Sequence, residues 1–369
     1  MAEKSPILKS IQQQESQIIR QLKDLLCSTS PINANWLHSM AEAQGKMALD
    51  QFIALGEHAI HIYQSAHPAT SDCYSRLAYY LMTKEEALEA AQRFFNLDAS
   101  AGRQTWFQKL RHAECVAALG DLKKASEMVA KVYADHPEAV NGYASIAWRF
   151  REQPTILSDS WQYARQDAVS NRLSAGFMLN VAELAIKAQA DTDAQKLIKE
   201  AYRLKQDLTD GYARCAWQHF WQKKEYDKLI EWMEKDRRAN KISPVWLYNL
   251  ALAYSANGNI ETALTFVEQA YETDPSLTDG YARCACQHFW PKKEYDKVIK
   301  WLEKDLLAKK PTASAQPTLS QAYAATDNFD DALPLIEQAY AKDPSLTDGY
   351  ARCAWQYFWP KKEYDKVIK

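Results

Sequence analysis

The segment LTDGYARCAWQHFWQKKEYDKLIE begins at Leu208, returns from Leu277 as LTDGYARCACQHFWPKKEYDKVIK, and returns again from Leu346 as LTDGYARCAWQYFWPKKEYDKVIK, at a constant step of 69 residues. A fixed period of this size makes each unit a supersecondary block that can bury its apolar face only against its neighbours. The chain is therefore expected to be a stacked array rather than one globular core. The period also extends upstream of the near-identical copies. Tyr74, Tyr143, Tyr212, Tyr281 and Tyr350 keep the step, as do Ala78, Ala147, Ala216, Ala285 and Ala354. Pro68, Pro137, Pro275 and Pro344 follow it too, with Gln206 in the vacant place. Five copies of one unit thus run over residues 33–369, preceded by a separate segment, 1–32.

Within a copy the apolar spacing is helical. Leu319 and Tyr323 share one helix face, and Phe329, Ala332, Ile336 and Ala339 form the stripe of a second helix. Asp343-Pro344 ends that helix, because the residue before proline avoids the α region. Ser345, Thr347 and Asp348 then offer N-cap chemistry to the next helix. The stretch 244–276 repeats the plan with Leu250, Tyr254, Gly258, Ile260, Ala263, Val267, Ala270 and Pro275. Only 10 of 369 residues are glycine, which predicts few positive-φ positions and favours helices over hairpin strands. Each 69-residue unit thus reads as two helical hairpins.

These residues resemble the tetratricopeptide repeat (TPR) superfamily. Leu247, Leu250, Ala251, Tyr254, Gly258, Ala263, Val267, Ala270 and Pro275 match its pattern, and Gly120, Ala125, Val129 and Pro137 match it in 106–138. The alternate hairpins, such as 278–311, depart from the pattern: one extra residue precedes Tyr295, and Lys297 or Val298 stands where alanine is expected. The resemblance implies an all-α fold, an α-solenoid (right-handed superhelix) of about ten TPR-like hairpins in 69-residue double units. It also implies a concave groove lined by the first helices. Tyr79, Trp148, Trp217, Cys286 and Trp355 would then face the groove, with Trp221, Trp290 and Trp359 one turn on and Phe220, Phe289 and Phe358 beside them.

Large flat side chains suit peptide anchoring, and they also suit sugar stacking. Their alternative role is packing between helices. Asp72, Asp210, Asp279 and Asp348, with Asn141 in register, form a second ladder. It is read either as a groove attracting cationic ligands or as N-terminal carboxylates that satisfy free helix N–H groups. The partner-binding residues expected on this reading are Tyr79, Trp148, Trp217, Trp221, Trp290, Trp355, Asp210, Asp279 and Asp348.

Other chemistry is not indicated. The net charge of −2 carries no electrostatic footprint for nucleic acid or an anionic membrane. No apolar run approaches the ~18 residues a membrane span needs. Seven cysteines, with Cys215, Cys284 and Cys353 at one repeat position, read as buried thiols of a cytoplasmic protein. His58 with His61, and Cys284 with Cys286, lack the further ligands of a metal site. There is no phosphate-binding glycine loop or nucleophile motif, so neither a cofactor nor catalysis is expected.

In residues 5–27, Ile7, Leu8, Ile11, Ile18, Ile19, Leu22, Leu25 and Leu26 form the stripe of a capping helix, with a dimerising coiled coil as the alternative. The last copy stops at Lys369 in mid-helix, where its sisters continue, which predicts a longer natural polypeptide. The leading functional reading is a non-catalytic scaffold for a partner protein or peptide. The alternative is a TPR arm guiding substrate or glycan in a larger bacterial enzyme such as a glycosyltransferase. Self-association through either end is a third expectation.

Overall fold

The computed structural model describes residues 6–27, 32–66, 72–153, 159–308, 315–342, 348–359 and 361–362. Pro68, Asp343, Pro344, Ser345, Thr347 and Lys369 lie outside them. Among the described residues there are twenty α-helices and no strand. The chain divides into two compact units, 1–177 and 178–369.

The first unit contains α1 (Pro6–Leu26), α2 (Ala34–Gln44), α3 (Leu49–Ala66), α4 (Cys73–Leu81), α5 (Leu88–Ser100), α6 (Trp106–Ala118), α7 (Leu122–Asp135), α8 (Gly142–Arg149) and α9 (Ser160–Val169). The unit boundary falls in α10 (Ala175–Lys187). Leu22 and Leu26 of α1 are fully buried in one core with Trp36, Phe52 and Leu77. The Trp36 indole N–H donates to the Leu25 carbonyl at 2.9 Å, so α1 is tied down by packing and by a half-buried polar contact.

The second unit contains α11 (Asp191–Leu204), α12 (Gly211–Phe220), α13 (Tyr226–Arg238), α14 (Pro244–Ala256), α15 (Ile260–Thr273), α16 (Gly280–His288), α17 (Tyr295–Leu307), α18 (Ala315–Ala325), α19 (Phe329–Lys342) and α20 (Gly349–Phe358). First helices begin at Gly211, Pro244, Gly280, Ala315 and Gly349, in steps of 33 to 36 residues. Pro244 sits in the first turn of α14, where its missing N–H costs nothing. Ala251, Ala263, Val267 and Ala270 are fully buried at the α14–α15 seam, where small side chains let the axes approach to about 8–10 Å. The extra residue of the alternate hairpins is absorbed by a 3-10 turn, Trp290–Lys292, followed by Lys293 at φ +57°.

The scarcity of glycine does not limit left-handed backbone. Eleven described non-glycine residues have positive φ, among them Asn141, Asp210, Asp279 and Asp348 at +61° to +64°. Asn and Asp tolerate this region because a short polar side chain can bond locally. The glycine that follows each of them serves a different need. A Cβ on Gly280 would lie 2.7 Å from Val267 Cγ1 and 2.9 Å from Tyr271 Oη, so the helix start packs too closely for any side chain.

Candidate functional site

The repeated YARCAWQHFW stretch places neighbouring aromatics on different faces, because consecutive helical residues are rotated by about 100°. Phe220 is buried against Trp232 at 6.1 Å between centroids, and Phe289 against Trp301 at 6.0 Å. Trp221 and Trp290 instead sit half-buried against Tyr226 and Tyr295. Trp217 lies one turn from Trp221 and stacks on it at 4.3 Å, with planes 13° apart. Trp355 stacks on Trp359 at 3.9 Å and 15°, and the two rings are 50% and 45% exposed. Trp217 also meets the edge of Trp246 of α14 at 6.1 Å. In α16 the same position holds Cys286, so Trp290 has no indole beneath it from that turn.

The first unit treats its aromatics differently. Tyr79 is half-buried between Trp36 and Phe107. Trp148 and Phe177 line a pocket of about 770 Å³ together with Arg111, Glu114, Arg149 and Arg151. The Arg151 guanidinium lies 4.5 Å from the Trp148 ring centre. Glu114 bridges Arg111 at 2.6 Å and Arg149 at 3.6 Å. Arg111 also donates to Ser145 Oγ at 2.5 Å.

The aspartate ladder is used inside the array. Asp210 and Asp279 are 8% and 7% exposed, while Asp348 is exposed. None of the three caps its own helix through its side chain. Asp210 Oδ1 accepts the Ser243 N–H at the start of α14 at 2.6 Å, and its backbone N–H donates to the Lys241 carbonyl. Asn141 does the same one copy earlier, accepting the Ser174 N–H at 2.8 Å. The N-cap chemistry read from the sequence is therefore directed at the following hairpin, because the left-handed φ swings the side chain away from its own first turn.

A third set of residues was missed by the sequence reading. Asp98, Asp167, Asp236 and Asp305 are 69 residues apart and fully buried. Tyr202 donates to Asp236 at 2.5 Å and accepts the Gly211 N–H at 2.6 Å, and the other Asp236 oxygen accepts the Ala213 N–H at 2.8 Å. The same triangle joins Tyr133, Asp167, Gly142 and Ala144, and again Tyr271, Asp305, Gly280 and Ala282. Three helices are pinned at each point. In the first copy Gln64 stands at the tyrosine position and Asp98 pairs with Arg103. Burial pushes the Asp167 and Asp236 carboxyls up to about 6, against the opposing pull of the tyrosine and backbone donors. The signal was present in the 69-residue spacing of these aspartates and tyrosines, but nothing in the sequence says that they meet.

Among the described residues no three His, Cys, Asp or Glu side chains group as metal ligands, and no helix is long and apolar enough to cross a membrane. All seven cysteines are free thiols.

No family model matches the chain, and no curated protein does. Among solved structures it is similar to the C-terminal part of a TPR repeat-containing protein from Cytophaga hutchinsonii, with 18% identity and a TM-score of 0.44 over 66% of this chain and 98% of that one. It is also similar to the yeast Tom70 structure, with 11% identity and a TM-score of 0.36 over 99% and 91%. The APC/C hetero-tetramer Cut9-Hcn1 gives 15% identity and a TM-score of 0.35 over 90% and 68%. Values this low carry no functional argument. Paired helices whose first members start at steps of 33 to 36 residues make residues 178–369 an all-helical repeat array.

Proposed function

We propose that the chain is a non-catalytic scaffold that holds an extended segment of a partner protein against the tryptophan-bearing side of residues 178–369. One observation carries this reading: two pairs of parallel indoles, Trp217 on Trp221 and Trp355 on Trp359, the second pair about half exposed. A stacked pair is already ordered, so a ligand that covers it gains contact area with little side-chain entropy to lose. Trp290 extends the same side, and in the first unit Trp148 and Tyr79 are the corresponding anchors. Asp210 and Asp279 are withdrawn from this role by their burial; Asp348 remains at the rim. Seven free thiols fit the reducing interior of a cell. No observation favours the glycan-guiding alternative.

The test is selection of peptides from a random library on the immobilised chain, followed by titration of the selected peptide. Trp217→Ala with Trp355→Ala should weaken that peptide by about 30-fold or more, the loss of at least one central aromatic anchor, with helicity unchanged. Equal affinity for the double variant would remove these tryptophans from the site.

A further inference from the structure

The frame around Trp217 recurs 69 residues on with two indoles deleted together. Asp210, Ala213 and Arg214 return as Asp279, Ala282 and Arg283, but Trp217 becomes Cys286 and Trp246 becomes Ala315. Asn249 becomes the shorter Thr318. In the earlier copy the two indoles meet edge to face at 6.1 Å and fill the space between α12 and α14. In the later copy the space between α16 and α18 stays open. It is a pocket of about 260 Å³ lined by Asp279, Ala282, Arg283, Cys286, Ala315 and Thr318.

Each large-to-small change of this kind costs stability unless the site collapses or is filled, and this one has not collapsed. Either deletion alone would leave a smaller gap beside the remaining indole; here both members of one contact are gone. The wall is mixed: Ala282, Ala315 and Cys286 supply apolar surface, and Asp279, Arg283 and Thr318 supply polar groups. Arg283 is exposed at the rim, and its guanidinium already lies 5.7 Å from the Tyr248 ring, so it can cover a second flat ring.

We propose that this pocket receives one indole-sized aromatic side chain of the bound segment, a tryptophan of the partner taking the place of the indoles this copy lacks. The proposal deepens the scaffold reading and names the partner's anchor residue. Its test does not need the partner. Binding of 5-fluoroindole to the full chain is followed by the fluorine resonance of the probe. The unaltered chain binds it saturably. Cys286→Trp, which restores the residue of the sister copies, and Ala315→Trp, which fills the pocket from the facing helix, each weaken binding by about tenfold or more, as occupying a ligand-sized pocket requires. Cys286→Ser leaves the pocket open and keeps binding within about twofold of the unaltered chain. Circular dichroism checks that each variant is folded, and the two filling variants act from different helices, so misfolding of one leaves the other to decide. Absence of saturable binding to the unaltered chain, or binding to both filled variants as tight as to the unaltered chain, overturns the proposal. Retained indole binding with unchanged peptide capture in the Trp217/Trp355 double variant would instead sink the stacked-pair reading and leave the pocket standing.

Discussion

Asp167, Asp236 and Asp305 sit in environments at odds with the chemistry of a carboxylate. Each carboxylate is out of water and is compensated by a tyrosine hydroxyl and backbone N–H groups, with the Arg172 charge also acting on Asp167. Because burial raises the folded-state value of Asp236 to about 6, the folded chain holds a proton over a range in which the unfolded chain has released it. The sign follows directly: this contribution is fully present below the unfolded value and is lost as pH rises through about 6. Asp236→Asn removes it, so the slope of unfolding free energy against pH between about 4 and 6 should become more positive, by up to about 1.4 kcal/mol per pH unit. Urea unfolding at pH 4.5 and 5.5 measures this, and parallel slopes for the two proteins would contradict it. The adjacent pair Phe289 and Trp290 provides a second contrast at this scale. Phe289→Ala should cost about 3–5 kcal/mol, as for a buried phenyl packed on Trp301, and Trp290→Ala about 1 kcal/mol. Thermal melts of the two single variants separate them; equal losses would mean that the two rings share one environment.

At the level of elements, the junction between one hairpin and the next is made by polar pins as well as by apolar packing. The left-handed Asn141 and Asp210 before their first helices reach forward to the next hairpin, and the glycine after each lets the helix start sit against a tyrosine hydroxyl. Gly280→Ala tests this junction. Its Cβ would meet Val267, Tyr271 and Tyr248 at 2.7 to 3.0 Å, and Tyr271 is held by Asp305 and cannot swing aside freely. The expected loss is about 1–3 kcal/mol from overpacking, although alanine is the better helix former. A neutral or stabilising result in chemical denaturation would show that the junction has room to adjust.

On the scale of the whole molecule, stability in a repeat array is a sum of local units and nearest-neighbour contacts, so damage should stay local. Gly280→Ala is expected to lower amide exchange protection in α14 to α17 and leave the amides of residues 72–153 at their original rates. Uniform loss of protection along the chain would instead indicate one cooperative block. The helical class was legible in the sequence, because helix periodicity is a property of neighbouring residues and needs no knowledge of contacts. The aromatic set was legible too, yet its division was not: Phe220 turns in and Trp221 out only because α13 supplies Trp232 as a wall. The aspartate ladder was read as facing a groove or capping its own helix, and Asp210 and Asp279 are buried in the array instead. The Tyr–Asp triangles and the paired loss of Trp217 and Trp246 at Cys286 and Ala315 join residues about 30 apart. Sequence alone determined which residues recur and in what period. Tertiary structure decided which of them touch, because contact across hairpins depends on how helices pack in space and not on distance along the chain.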